Sequence, residues 1–275
     1  VGGAAADEIY GREGMDTIVG DSAEVLFFSP YDVFKSESLS FDEAYIKRNT
    51  KSIVSLTCGI GGVDTVEGND GEDVIVGGAL GDGINAGPGN DVVAGDCVSI
   101  LYNGVDFMIE NMTSIDTDVG GDDIIDLEAG DDYAVGGAAA DEIYGREGMD
   151  TIVGDSAEVL FFSPYDVFKS ESLSFDEAYI KRNTKSIVSL TCGIGGVDTV
   201  EGNDGEDVIV GGALGDGINA GPGNDVVAGD CVSILYNGVD FMIENMTSID
   251  TDVGGDDIID LEAGDDYAVG GAAAD

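Results

Sequence analysis

The sequence predicts an all-β solenoid, and three observations carry that reading. Asp64, Asp73, Asp82 and Asp91 stand nine residues apart, each followed two positions later by Val66, Ile75, Ile84 or Val93. A long segment recurs: the run Val-Gly-Gly-Ala-Ala-Ala-Asp at Val1 returns at Val135 and again at Val269, a period of 135 − 1 = 134 residues. The 275-residue chain is also 43% hydrophobic, enough aliphatic surface to build a core despite a formal net charge of −47. Short units of this kind bury their apolar side only against one another, so they stack along an axis.

One unit, Gly68-Asn69-Asp70-Gly71-Glu72-Asp73-Val74-Ile75-Val76, shows the local logic. Gly68 and Gly71 reach positive φ without a Cβ clash, so the first six residues suit a turn that aims its carbonyls inward, and Asp73 adds a carboxylate. The Val-Ile-Val segment has β-propensity and alternates its side chains, so Ile75 points inward and Val74 and Val76 point away. Two units close one coil of 2 × 9 = 18 residues, with a turn on each side and a strand on each face. Carbonyls plus carboxylates are the donors a hard cation such as calcium prefers.

This beat resembles the RTX (hemolysin-type) calcium-binding nonapeptide, GGxGxDxUx, where U is a large aliphatic residue. The resemblance implies a parallel β-roll solenoid with several calcium ions held between turns stacked on the same side, each ion shared by one motif and the next but one. The metal ligands it points to are the in-phase carboxylates Asp7, Asp16, Asp64, Asp73, Asp82, Asp91, Asp123, Asp132, Asp141, Asp150, Asp198, Asp207, Asp216, Asp225, Asp257, Asp266 and Asp275. Some motifs depart from the pattern. Ala5 and Leu80 replace its third glycine, Leu127 its first, and Ala134 the inward aliphatic; the Asp132 motif, with Leu127-Glu128 at its first two positions, is the poorest.

The organisation that follows is a first copy at 1–134, an identical second copy at 135–268 and the start of a third at 269–275. Within the first copy the order is roll 1–20, insertion 21–58, roll 59–95, insertion 96–117 and roll 118–134. A weaker duplication lies inside it, Val1 to Ile75 against Val76 to Ala134, so the building unit is half the obvious one. Both ends of the sequence fall inside a motif, as expected of a window on a longer array.

The insertions read as β-hairpin-like. The longer opens with Ser22 to Phe28 and closes with Ser52 to Thr57, both strand-like; Ser40-Phe41-Asp42-Glu43 is a capping-box pattern that predicts a short helix over Ala44 to Arg48. It carries Lys35, Lys47, Arg48 and Lys51, which serve either a contact surface for an acidic neighbour or local charge balance. Its aromatics, Phe27, Phe28, Tyr31, Phe34, Phe41 and Tyr45, serve a mini-core beside the roll or a partner site. In the shorter insertion, Asn103-Gly104 between Val98 to Tyr102 and Val105 to Ile109 predicts a hairpin projecting from the roll. Asp21 and Asp96 open the two insertions, as extra calcium ligands or as turn residues.

Cys58 and Cys97 stand 97 − 58 = 39 residues apart and, if kept on the roll, about two coils or roughly 9–10 Å apart, beyond the ~7 Å reach of a disulfide. Because both lie in insertions, a Cys58–Cys97 bridge, a Cys97–Cys192 bridge and free thiols all stay open, as they do for Cys231. Asn111 and Asn245 head Asn-Met-Thr sequons, glycosylation acceptors in a secreted eukaryotic protein and chance matches elsewhere.

The charge balance of 57 acidic against 10 basic residues excludes ordinary nucleic-acid binding, which needs Lys and Arg against phosphate. No apolar run approaches the length of a membrane span. With no His, and no Ser or Cys nucleophile in a recognisable setting, the sequence reads as non-enzymatic. Two functions fit: a calcium-dependent extracellular structural or adhesive rod that self-associates end to end or side by side, or the calcium-binding repeat region of a larger secreted enzyme or toxin, aiding export and folding.

Overall fold

The computed structural model describes residues 1–27, 50–103, 108–162, 184–238 and 242–272. The short helix expected over Ala44 to Arg48, the residues Lys35, Lys47 and Arg48, the aromatics Phe28, Tyr31, Phe34, Phe41 and Tyr45, Gly104 of the hairpin turn, and Asp275 lie outside the described residues.

In the first repeat the strands are β1 (Glu8–Tyr10), β2 (Thr17–Val19), β3 (Ala23–Phe27), β4 (Thr50–Ser55), β5 (Thr65–Glu67), β6 (Val74–Gly78), β7 (Gly83–Asn85), β8 (Val92–Asp96), β9 (Val98–Tyr102), β10 (Ile109–Ser114), β11 (Ile124–Asp126) and β12 (Tyr133–Gly137). The second brings β13 (Glu142–Glu147), β14 (Thr151–Asp155), β15 (Ala157–Phe161), β16 (Thr184–Ser189), β17 (Thr199–Asp204), β18 (Val208–Gly212), β19 (Gly217–Asn219), β20 (Val226–Asp230), β21 (Val232–Tyr236), β22 (Ile243–Ser248), β23 (Ile258–Asp260) and β24 (Tyr267–Val269). They form three eight-stranded sheets. The first parallel sheet runs β1-β5-β7-β11-β13-β17-β19-β23, the second parallel sheet β2-β6-β8-β12-β14-β18-β20-β24, and an antiparallel sheet β22-β21-β16-β15-β10-β9-β4-β3.

The two parallel sheets are the faces of the expected β-roll. Val66 pairs with Ile84 one coil on, an 18-residue offset, whereas Ile9 pairs with Val66 and Ile84 with Ile125, offsets of 57 and 41. The excess, 57 − 18 = 39 and 41 − 18 = 23 residues, is looped out without disturbing the register. The interruptions therefore exist in sequence only, and the roll is continuous. The repeat boundary is equally seamless, falling inside β12, which pairs with β8 on one side and β14 on the other.

Inside the roll the middle residue of each strand triplet turns inward. Val66, Ile75, Ile84, Val93, Ile125, Ile143 and Ile152 form the aliphatic ladder between the parallel sheets, with Leu127 and Ala134 filling their departures from the pattern in the same core. The flanking residues separate the two faces. On the first parallel sheet many are polar or small, as in Thr65-Val66-Glu67 and Gly83-Ile84-Asn85, and large ones such as Tyr10 and Ile124 stand exposed. On the second they are apolar: Val19, Val76, Ala94, Val135 and Val153 are buried in a second core against Ile53, Ile100, Met112, Val159, Ile187 and Ile234.

Those partners come from the insertions. A hairpin β9–β10 forms, but its second strand is Ile109–Ser114 in place of the expected Val105 to Ile109, with Tyr102 opposite Ile109 and Ser99 opposite Thr113, and it does not project. It lies flat on the second parallel sheet as part of the antiparallel sheet, because otherwise a row of Val and Ala side chains would face water at about 25 cal/mol per Å². An insertion leaves from every second coil and supplies two strands, so roll and cover gain strands at the same rate. With strands ~4.8 Å apart in any sheet, the layers stay in step. Among the described residues no helix is long and apolar enough to cross a membrane.

Candidate calcium sites on two turn ladders

Each in-phase Asp occupies the sixth position of its nonapeptide, at the end of a turn and just before a strand. Alternate motifs put their turns on opposite sides of the roll. Asp7, Asp64, Asp82, Asp123, Asp141, Asp198, Asp216 and Asp257 form a first ladder, on turns entering the first parallel sheet. Asp16, Asp73, Asp91, Asp132, Asp150, Asp207, Asp225 and Asp266 form a second, on turns entering the other. The turns need left-handed backbone at their second and fourth positions, as at Gly78 (φ 128°) and Gly71 (φ 153°). Leu80 keeps φ 70° at a fourth position despite its side chain, at a cost of roughly 1–2 kcal/mol.

The carboxylates are linked one to the next. Asp64 N–H donates to Asp82 Oδ1 and Asp82 N–H to Asp123 Oδ1, each at 2.7 Å, and every step of both ladders spans 2.7–3.0 Å. Thus Oδ1 is used by the backbone of the preceding coil. The second oxygen is not: Oδ2 of Asp64, Asp73, Asp82, Asp91, Asp123, Asp132, Asp141, Asp150, Asp198, Asp207, Asp216 and Asp225 is buried without a hydrogen-bond partner. These residues are at most 3% exposed.

Where the motif opens on glycine, as it does for Asp64, Asp73, Asp82, Asp123, Asp141, Asp150, Asp198, Asp207 and Asp216, a carbonyl from the next coil faces this oxygen; the Asp91, Asp132 and Asp225 motifs open instead on Ala86, Leu127 and Ala220. A methyl group placed on Gly77 would stand 2.4 Å from Asp82 Oδ2 and 2.5 Å from Gly95 O; on Gly68, 2.6 Å from Asp73 Oδ2 and 2.3 Å from Ala86 O. Glycine at the first position therefore keeps open a cradle lined by one carboxylate and one carbonyl oxygen. Among the described residues no three His, Cys, Asp or Glu side chains gather as a metal cluster. The donors are instead one carboxylate per turn plus main-chain oxygens, an all-oxygen set suited to calcium. When bound, the cation supplies the positive charge that these carboxylates lack.

Burial, and then the neighbouring carboxylates, penalise the charged form. The side chains of Asp82 and Asp91 are pushed up to about 7, and those of Asp123 and Asp132 to about 9. Asp141 rises to about 10, through burial and the nearby Asp123. The carboxyls raised to about 9 or 10 stay largely protonated at neutral pH unless a cation stands beside them.

The structure brings the expected ligands together in two columns, with Asp7, Asp16 and Asp266 half-buried towards the ends. Asp132, in the poorest motif, stands in its ladder like the others: it accepts from Asp91 N–H, and Leu127 turns into the core. Asp21 and Asp96 are turn residues, with both carboxylate oxygens accepting backbone N–H groups. Cys58 pairs with Cys97 and Cys192 with Cys231, with Cα atoms 5.9 and 5.8 Å apart. The two-coil separation expected on the roll is replaced by the spacing of adjacent strands, because Cys58 follows β4 and Cys97 precedes β9, which pair directly. Asn111 is half-buried and Asn245 exposed on the antiparallel sheet; Thr247 Oγ1 donates to Asn245 Oδ1 at 2.6 Å, and Thr113 to Asn111 in the same way.

The sequence points to turn carbonyls as donors but not to which of them meets which carboxylate; that those of Gly95 and Ala86 do so is revealed only by the stacking. Sequence reasoning missed the covered face, although the alternation of triplets with polar flanks (Thr65-Val66-Glu67) and apolar flanks (Val74-Ile75-Val76) carried that signal.

A family model described as RTX calcium-binding nonapeptide repeat (4 copies) matches residues 1–23, 59–93, 120–134, 128–157, 193–227 and 253–275, which together make up more than half of the chain. No curated protein matches the chain.

Proposed function

Since the chain belongs to the RTX calcium-binding nonapeptide repeat family, we propose that it is an extracellular structural or adhesive protein whose elongated, rod-like roll is rigidified by calcium. The observation that carries this reading is the pair of unbroken ladders of carboxylates, in which residues such as Asp64, Asp82, Asp123, Asp141 and Asp198 keep one buried oxygen over with a carbonyl facing it. Neutralising that charge is a condition for the coils to stack, so calcium acts as a structural element and the ions are shared between successive coils.

Continuity across the repeat boundary supports the rod. Coils from different copies stack with the register used within a copy, Tyr133 beside both Val92 and Thr151, so nothing in the geometry limits the number of copies. The faithful repetition of both insertions, and the antiparallel sheet they build, favour a structural role over a segment serving export alone. Adhesion or self-association then falls to the outer faces of the first parallel and antiparallel sheets.

The test is calcium removal. Far-ultraviolet circular dichroism in chelator should lose its β signal and recover it on adding calcium, and negative-stain microscopy should show rods in calcium only. An unchanged spectrum in chelator would sink the proposal.

A further inference from the structure

We propose that Asp21, Asp96, Asp155 and Asp230 are positioning residues for the first ladder. Each recloses a turn that an insertion has split and so holds that turn's carbonyls in their ion-facing arrangement. The inference rests on the calcium reading above and deepens it.

The argument begins with where the insertions sit. Gly20 and Asp21 are the first and second residues of a nonapeptide whose third to sixth residues are Gly61, Gly62, Val63 and Asp64. The longer insertion thus leaves from within the turn, between its second and third positions. The shorter does the same, leaving after Asp96 and returning at Gly120. A turn split in this way loses the covalent restraint that fixes its shape, and the closure of a long loop must be held by contacts instead.

The carboxylate provides them. Asp21 Oδ1 accepts from Gly62 N–H at 3.0 Å, across the insertion, and Oδ2 from Ala79 N–H at 2.6 Å, in the next coil. Asp96 repeats the arrangement with Gly121 at 3.1 Å and Ala138 at 2.6 Å. Asp155 does so with Gly196 and Ala213, and Asp230 with Gly255 and Ala272. One side chain therefore pins the departing strand, the returning turn and the coil above it.

Two features separate these four from the ladder carboxylates. Both of their oxygens are engaged by N–H groups, whereas ladder carboxylates such as Asp82, Asp123, Asp141 and Asp198 keep one oxygen over for a cation. The third position of every split turn is also glycine, where unsplit turns carry residues such as Ala79 or Ala138. A methyl group on Gly61 or Gly120 would stand 1.8 Å from the carboxylate it covers. The pairing Gly-Asp, insertion, Gly-Gly is thus a matched set: an acceptor at the exit and a residue without Cβ at the return.

The test uses the full chain with Asp96→Asn, nearly isosteric and with one acceptor retained, and Asp96→Gly, which installs the residue that unsplit first-ladder turns carry there, as at Gly78 and Gly137. Calcium titration calorimetry of each is compared with the parent. The expected result is an unchanged number of bound ions, with the sites flanking Asp96 weakened about 10- to 100-fold in Asp96→Gly and less in Asp96→Asn, as for groups that orient ligands. Second-ladder sites should keep the parent affinity. Loss of one ion per substitution would make Asp96 a ligand and overturn the proposal; so would unchanged affinity at every site with only a lower Tm. A parent chain that binds no calcium overturns instead the reading on which the proposal rests.

Discussion

At Asp82 one carboxylate serves two partners: Oδ1 takes the Asp64 N–H and Oδ2 is left facing the Gly95 carbonyl. Asp70, twelve residues earlier and out of phase, is exposed. Asp82→Ala should therefore weaken calcium binding at its neighbouring sites at least about tenfold, and Asp70→Ala should leave it within about twofold. Calorimetry on both variants decides this, and equal affinities would undo the site assignment. The pH response is set by the same residues. A carboxyl raised by burial favours the protonated folded state, so in calcium-free protein its stabilising effect is complete below the ordinary carboxylate range. That effect is lost as pH rises through about 6 for Asp73, 7 for Asp82 and 9 for Asp123. In chelator the roll should be more structured at pH 5 than at pH 8. With calcium present the order reverses, since protons then compete with the ion; circular dichroism at both pH values, with and without calcium, checks the sign.

The strand triplets divide the work between two cores that meet at the second parallel sheet. Ile75 packs inside the roll, while Val76 packs under the antiparallel sheet with Ile100. Truncating Ile100 to Ala should open a cavity costing about 2–5 kcal/mol. The loss should stay in the cover: amide exchange should speed up in β4, β9 and β10 while the number of bound calcium ions is unchanged. Simultaneous loss of calcium binding would mean that cover and roll form a single cooperative unit. This is also where legibility in the sequence ended. Asp phase and inward aliphatics were readable because a fixed period repeats them many times. The place of the insertions was not, because it depends on which face has apolar flanks, a comparison between alternate motifs and not a property of any one.

For the whole molecule, the matched growth of roll and cover means that a longer array needs no new interaction. Each further half-repeat adds two coils, one insertion with two strands, and one more Asp to close the split turn. What the sequence could not disclose at this scale was continuity, since the insertions look like breaks until the offsets of 41 and 57 residues are seen to preserve one register.

The disulfides have a mechanical consequence. Cys58–Cys97 joins the end of one insertion to the start of the next, so the shortest covalent path along the chain skips the two coils between them, and Cys192–Cys231 does the same in the second copy. A pulling force applied to the two ends is carried past those coils through the disulfide bonds, and they cannot be drawn out even if their calcium is stripped. In single-molecule stretching, reduction should release a hidden length of about 39 residues per disulfide, roughly 130 Å at full extension. Extension curves that are identical before and after reduction would show that the load does not pass through these bonds.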